Sequence, residues 1–116
     1  MKNFFELKGK VIEKIDGLCA DAEEYKFKLR DLGTLTFWHD QECCESVRVQ
    51  SITGDPALII DQEIIFAEED SVRDDTVDET TTTYILRVAS GAELKIVWIG
   101  ISNGYYSEDV DIRYDP

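Results

Sequence analysis

The chain of 116 residues is 43% hydrophobic and carries 12 basic against 25 acidic residues, which gives a net charge of −13. This length suits a single domain, predicted to span residues 1–116, and the apolar fraction excludes disorder of the whole chain. The charge argues against direct contact with nucleic acid, and no apolar run approaches the roughly 20 residues that a membrane-spanning helix needs.

The first residues predict a helical turn followed by a strand. Residues 1–8 suit a short helical turn, which Gly9 ends. Residues 10–18 fit a helix or a strand, and their short length together with Asp16-Gly17 favours the strand.

Most of the remaining chain predicts β-structure. Asp31-Leu32-Gly33 and Ser90-Gly91 are typical of turns, whereas residues 73–80 lack apolar content and predict an exposed, mobile loop. Alternating, β-branched or aromatic residues predict strands in seven segments, namely 25–29, 34–38, 47–51, 64–72, 81–88, 94–98 and 110–114.

A second short helix is predicted after Gly54. Asp55 can cap it, Pro56 can occupy its first position, and residues 57–60 would form its body. These patterns together predict an α+β domain. It would consist of a mostly antiparallel β-sheet of six to eight short strands with one or two short helices packed on it.

The N-terminal residues and the cysteines indicate a cytosolic protein. Glu6 and Lys8 interrupt the apolar stretch that a signal peptide needs. Three cysteines are an odd number, and adjacent residues such as Cys43 and Cys44 seldom bond to each other. A secreted disulfide framework is therefore not expected.

The segment richest in reactive residue types is His39-Asp40-Gln41-Glu42-Cys43-Cys44-Glu45, here called the His39–Glu45 cluster. His39 and Cys43 could share a helical face and bind zinc, but no second histidine or Cys-x-x-Cys pair completes a four-ligand site. Cys43 could be a nucleophile with His39 as its base, although nearby carboxylates disfavour the thiolate. The favoured interpretation is a structural turn, in which the polar groups satisfy backbone donors and one cysteine packs inward. No catalytic residue, metal or cofactor is therefore predicted.

A second polar segment, Ser102-Asn103-Gly104-Tyr105-Tyr106-Ser107-Glu108, precedes the last predicted strand. Asn103-Gly104 fits a turn with positive φ. Two tyrosines on a loop suit a recognition surface or the wall between two strands, and the sequence leaves both interpretations open.

The negative charge is concentrated in two segments. Residues 61–79 contain nine acidic residues and one basic residue, Arg73, and residues 102–116 are also acidic. Such a field favours a basic partner, although an acidic surface can equally serve solubility alone.

With these motifs identified, the chain resembles a family of small phage and prophage proteins without an established activity. The similarity extends from about Lys10 to the last strand and includes the His39–Glu45 cluster, Gly54-Asp55, Ala67-Glu68-Glu69 and the Ser-Asn-Gly-Tyr-Tyr-Ser run. The resemblance implies a setting in the infected bacterial cytoplasm. Small acidic phage proteins often bind host proteins, and some present carboxylates where nucleic-acid phosphates would lie.

We therefore expect a non-enzymatic protein that inhibits a basic host defence protein, for example a nuclease or a CRISPR effector. The acidic surface would comprise Glu68, Glu69, Asp70, Asp74, Asp75, Glu108 and Asp109. The alternative is an accessory protein that sequesters a nucleotide signal in a pocket between the two polar segments. This pocket would comprise His39, Asp40, Cys43, Glu45, Arg48, Asn103, Tyr105 and Tyr106.

Overall fold

The computed structural model describes residues 3–116, so residues 1 and 2 of the first predicted helical turn lie outside it. These 114 residues form two four-stranded antiparallel sheets around one core. The first sheet contains, in spatial order, β1 (Ile12–Asp16), β2 (Glu24–Leu29), β3 (Thr34–Trp38) and β8 (Asp111–Asp115). The second sheet contains, also in spatial order, β4 (Ser46–Thr53), β7 (Glu93–Ile101), β6 (Glu79–Val88) and β5 (Ile64–Asp74).

The fold is nearly all β, so the predicted α+β class is wrong. The two predicted helices are short 3-10 helices, Phe4–Leu7 and Pro56–Leu58. These helices have four and three residues, which is too few for a series of α-helical hydrogen bonds from residue i to i+4. The tighter 3-10 turn, with bonds from i to i+3, forms instead. Asp55 still caps the second one, because its carboxylate accepts the Ala57 N–H at 2.9 Å. No helix within residues 3–116 is long and apolar enough to cross a membrane.

The predicted antiparallel pairing is confirmed, and alternation along the strands explains the core. Tyr25 and Phe27 of β2 are buried, whereas Lys26 between them is exposed. The Tyr25 ring lies 5.5 Å from the Trp98 ring of the other sheet, and the Trp98 indole N–H donates to the Tyr25 hydroxyl at 3.0 Å. This hydrogen bond satisfies two polar groups that would otherwise be buried without partners.

The segment 73–80 is the end of a β-hairpin, which corrects the predicted mobile loop. Strand β5 continues to Asp74 and β6 begins at Glu79, so only residues 75–78 make the turn. Within the described chain, β5 pairs with β6 alone along its outer half, which makes it the edge strand of its sheet. Water-facing edge strands need no apolar residues and are commonly charged, which explains why the pattern resembled a loop.

Candidate functional site

The His39–Glu45 cluster forms the connection between β3 and β4 and contains a buried ion pair. His39 Nε2 lies 2.8 Å from Glu45 Oε2, and the two side chains are 4% and 0% exposed. The other ring nitrogen, Nδ1, donates to the carbonyl oxygen of Asp109 at 2.7 Å. Because both partners are oxygen acceptors, the doubly protonated imidazolium is the form of His39 that satisfies both bonds.

The pKa of Glu45 is lowered and the pKa of His39 is raised, as expected for an ion pair. The hydrogen bond from His39 outweighs burial and, with the backbone N–H groups of Cys43 and Glu42, lowers the pKa of Glu45 to about 2. Burial alone would lower the pKa of His39. The hydrogen bonds to Glu45 and to the Asp109 carbonyl, with the charges of Glu45 and Asp111, outweigh it and raise the pKa above 6.5.

The stabilisation conferred by this ion pair is expected to be greatest between about pH 4.5 and 6.5. The lowered pKa of Glu45 means that its contribution is complete above 4.5 and is lost as the pH falls towards 2. The raised pKa of His39 means that its contribution is complete below 6.5 and is lost as the pH rises through the folded-state pKa. Thermal unfolding of the wild type and His39→Gln from pH 2 to 9 tests this, and a pH-independent Tm difference would contradict it.

The geometry of the cluster does not support the catalytic or zinc interpretations. Both nitrogens of His39 are bonded to oxygen acceptors, so neither is free to take a proton from Cys43. Cys43 and Cys44 form a disulfide with each other, a pairing that the sequence analysis did not expect, and both are exposed rather than packed inward. Among residues 3–116, no three His, Cys, Asp or Glu side chains are grouped as metal ligands.

The cluster instead anchors residues 102–110, the loop between β7 and β8. His39 holds the Asp109 carbonyl, and the backbone N–H of Asp40 donates to Asp111 Oδ2 at 3.2 Å. These two bonds fix the backbone of Asp109 and the carboxylate of Asp111 relative to the sheets. The turn predicted from the sequence therefore supports a second segment, which lies 70 residues further along the chain.

Glu108 anchors the other side of the same loop from the interior. Its side chain is 1% exposed and accepts hydrogen bonds from Arg73 at 2.6 Å and Thr80 at 2.7 Å, and also from the Ser102 hydroxyl. Burial would raise the pKa of Glu108, but these three donors outweigh it and lower the pKa. Glu108 is thus a buried partner of Arg73 and does not lie on the predicted acidic surface.

Two further members of the predicted acidic surface are occupied by contacts within the hairpin. Arg73 also binds Asp75 at 2.8 Å and Asp78 at 3.0 Å, and Asp74 accepts the backbone N–H and hydroxyl of Thr76. The remaining four predicted members are exposed, and no residue of the described chain forms an ion pair with them: Glu68, Glu69, Asp70 and Asp109.

Three of these free carboxylates lie on β5, Glu69 on one face and Glu68 and Asp70 on the other. Glu69 points towards the loop and β8, where it borders a cavity of about 340 Å³, here called the acidic cleft. The acidic cleft is lined by Glu69, Ser71, Thr82, Asp109, Val110 and Asp111. On the other face, a groove of about 320 Å³ is lined by Glu68, Asp70, Thr83, Ile85 and Lys95. Only the groove has a basic side chain in its lining.

The comparison with protein families identifies the family of this chain. A family model described as Domain of unknown function (DUF7448) matches residues 5–112, which include the whole lining of the acidic cleft. The chain belongs to this family. No curated protein and no solved structure matches the chain. Membership of DUF7448 agrees with the resemblance to an uncharacterised family and assigns no activity.

In this member of DUF7448 several residues of the predicted alternative pocket make contacts of their own. Arg48 donates to Ser46 Oγ at 3.0 Å and lies 3.4 Å from Asp21. Tyr105 is 85% exposed at the end of its loop, where its ring lies 5.2 Å from the ring of Tyr106. The Asn103 side chain accepts the Tyr105 N–H and so shapes the loop itself.

Sequence reasoning missed Ser71 and Thr82 as members of the acidic cleft. The signal that could have identified Ser71 is strand alternation, because residues two apart on one strand share a face. The predicted strand 64–72 already contained both residues, and applying the alternation along it would have placed Ser71 beside Glu69 and separated both from Glu68 and Asp70. Thr82 required the pairing register, in which it lies opposite Ser71.

Proposed function

We propose that this protein is a non-enzymatic binding module that engages a basic protein through the edge strand β5 and the adjoining loop. The observation that supports this proposal is the division among its acidic side chains. Some serve the fold through Arg73 and Thr76, whereas four are exposed and form no ion pair with any residue in 3–116: Glu68, Glu69, Asp70 and Asp109. Exposed carboxylates that the fold does not use remain available to a cationic partner.

The location on an edge strand also suits protein recognition. The outer half of β5 pairs with β6 on one side only, and its charged side chains oppose uncontrolled pairing with other strands. A basic surface would meet carboxylates on both faces of this strand. Electrostatic complementarity of this kind increases the rate and the specificity of association and is sensitive to salt.

In the setting that the phage resemblance implies, the proposed partner is a host defence protein that handles nucleic acid in the bacterial cytoplasm. A nuclease or CRISPR effector has a basic channel for phosphates, and carboxylates on β5 would compete for that channel. The nucleotide-sequestering alternative has less support, because Arg48 is engaged elsewhere and both cavities are bordered by carboxylates.

The proposal predicts that removing three negative charges from β5 strongly weakens the capture of one basic protein from bacterial lysate. The test variant is Glu68→Gln/Glu69→Gln/Asp70→Asn, and capture is quantified by mass spectrometry at low and high salt. We expect at least about tenfold weaker capture by the variant, and similar weakening of wild-type capture at high salt.

The matched control is Glu23→Gln/Glu24→Gln/Asp31→Asn, which removes three exposed charges near β2. Both variants reduce the net charge of −13 by the same amount. Retention of the basic protein by the control and its loss by the β5 variant would support the proposal. Equal capture by the two variants would mean that acidity serves solubility and edge protection only.

A further inference from the structure

The disulfide between Cys43 and Cys44 lies in the exposed part of the His39–Glu45 cluster. Because the two residues are adjacent, the bond closes a small ring that contains the peptide bond between them. The ring removes backbone and side-chain rotations that the two reduced residues would regain. The third cysteine, Cys19, is free. The disulfide is therefore a covalent constraint on this turn alone.

Solvent reaches both cysteines, although the residue that follows them, Glu45, is buried. Thiol–disulfide exchange begins when an external thiolate attacks one sulfur, so access decides whether a disulfide reacts. Exposed disulfides are typically labile and regulatory, whereas structural ones resist reduction. In the cytosol, where the proposed function places the protein, disulfides are usually transient and either catalytic or redox-sensing. Because both nitrogens of His39 are bonded to oxygen acceptors, the redox-sensing class is the one that agrees with this site.

The backbone of the disulfide is joined directly to the buried ion pair. The N–H of Cys43 donates to Glu45 Oε1 at 3.0 Å, and the N–H of Glu42 donates to Oε2 at 3.1 Å. The carbonyl of Cys43 also accepts the side-chain amide of Gln41 at 3.3 Å. The same Glu45 carboxylate binds His39 at 2.8 Å. One buried carboxylate thus connects the ring of the disulfide to His39.

The connection continues to the loop 102–110, because the second nitrogen of His39 holds the Asp109 carbonyl at 2.7 Å. When the ring opens, the Cys43 N–H is no longer held in one orientation towards Glu45. A buried carboxylate that loses a donor is costly, so the turn has to rearrange to satisfy it. His39 is bonded to that carboxylate, so this rearrangement weakens its hold on Asp109 as well.

We propose that Cys43 and Cys44 are a redox-active pair whose thiol–disulfide exchange controls how firmly residues 102–110 are anchored. The reductant is a dithiol. One of its thiolates attacks a sulfur of the pair, breaks the S–S bond and forms a mixed disulfide, which the second thiol of the reductant resolves. The products are two cysteine thiols and the oxidised, cyclic disulfide of the reductant. The loop is anchored in the oxidised protein and loosened in the reduced protein.

The first measurement counts thiols in the folded full chain carrying Cys19→Ser, in which Cys43 and Cys44 are the remaining cysteines. The protein is treated with oxidised glutathione or with dithiothreitol, alkylated with iodoacetamide and weighed by mass spectrometry. We expect no alkylation and no attached glutathione after oxidation, and two alkylated thiols after reduction. Two free or two glutathione-bound cysteines after oxidation, or no alkylation after dithiothreitol treatment, would overturn the proposal.

The second measurement is hydrogen exchange of the oxidised and reduced forms of this protein. Peptides covering residues 102–110 should exchange at least about threefold faster in the reduced form, because the loop loses part of its anchor. Peptides covering residues 24–38, which form β2 and β3, should exchange at the same rate in both forms. Equal exchange of residues 102–110 in the two forms would refute control of the loop, even if the cysteines react.

Two variants test the route of the effect. Cys43→Ser/Cys44→Ser should exchange like the reduced protein and should not respond to dithiothreitol. His39→Gln should exchange faster in residues 102–110 before reduction, and reduction should add less than about 1.5-fold because the route is already broken. A full response of His39→Gln to reduction would refute transmission through His39. The comparison of oxidised and reduced protein changes no residue of the cluster, so it decides the proposal even if a variant fails to fold.

This inference goes beyond the proposed function, and its measurements need no partner protein. Redox-dependent exchange of residues 102–110, without capture of any basic protein from lysate, would support the redox-active pair and refute the proposed function. Capture that depends on β5, combined with exchange that is the same in the oxidised and reduced forms, would support the proposed function and refute this inference.

Discussion

Replacement of Phe37 by alanine is expected to lower the free energy of unfolding by about 3–5 kcal/mol, the largest effect among the substitutions considered. Phe37 is 0% exposed and lies at the centre of the aromatic core. Its ring centroid is 4.7 Å from that of Tyr25, 4.9 Å from that of Phe27 and 5.4 Å from that of Tyr84. Removing the ring leaves a cavity between the two sheets that rigid neighbours cannot close.

Urea denaturation measures this loss, and Phe5→Ala is the control. Phe5 is 62% exposed in the first 3-10 helix, so its truncation should change the unfolding free energy by no more than about 0.5 kcal/mol. A domain of this size has a total stability of roughly 5–15 kcal/mol, so Phe37→Ala should remove a large share of it. Similar losses for Phe37→Ala and Phe5→Ala would contradict the packing described for the core.

Replacement of Glu108 by alanine is expected to produce the second-largest loss, about 2–4 kcal/mol. The substitution removes the buried acceptor of Arg73, Thr80 and Ser102. Arg73 keeps Asp75 and Asp78 as partners and is partly exposed, which limits the cost on its side. The hydroxyl of Thr80 would remain buried without its acceptor.

Two measurements distinguish this effect from loss of surface charge. Urea denaturation should show that Glu24→Ala, an exposed carboxylate on β2, leaves the stability nearly unchanged. Hydrogen exchange should show increased exchange in residues 102–110 for Glu108→Ala, because the loop loses its interior anchor. If Glu108→Ala unfolded at the same urea concentration as Glu24→Ala, the buried ion pair would have no stabilising role.

These effects relate the fold to the proposed recognition. Glu69 and Asp109 are 40 residues apart in sequence, yet they border one cavity because β5 and the β7–β8 loop are held side by side. The loop is held by Glu108 on one side and by the His39–Glu45 cluster on the other. In the proposed function, the cluster would contribute by positioning the loop and the exposed carboxylates would contribute by their charge.

Local patterns predicted the strands with one buried face. Tyr25 and Phe27 alternate with lysines, and the adjacent turn leads into β3 as expected. The same reasoning failed where no buried face exists. The end of β5 is charged on both sides of the edge, so it lacks the alternation that identifies a strand. The helices were overpredicted because a cap and a proline mark the start of a turn without specifying its length.

The sequence by itself determined the antiparallel β-structure, the acidity of the chain and the two polar segments that interrupt its strands. Only the tertiary structure decided which carboxylates are free, because that depends on partners distant in sequence. Arg73 engages Glu108 across 35 residues, and His39 engages the Asp109 backbone across 70. Opposite-charge pairing and burial act through space, so an acidic run that looks uniform in sequence divides into residues that support the fold and residues that remain exposed.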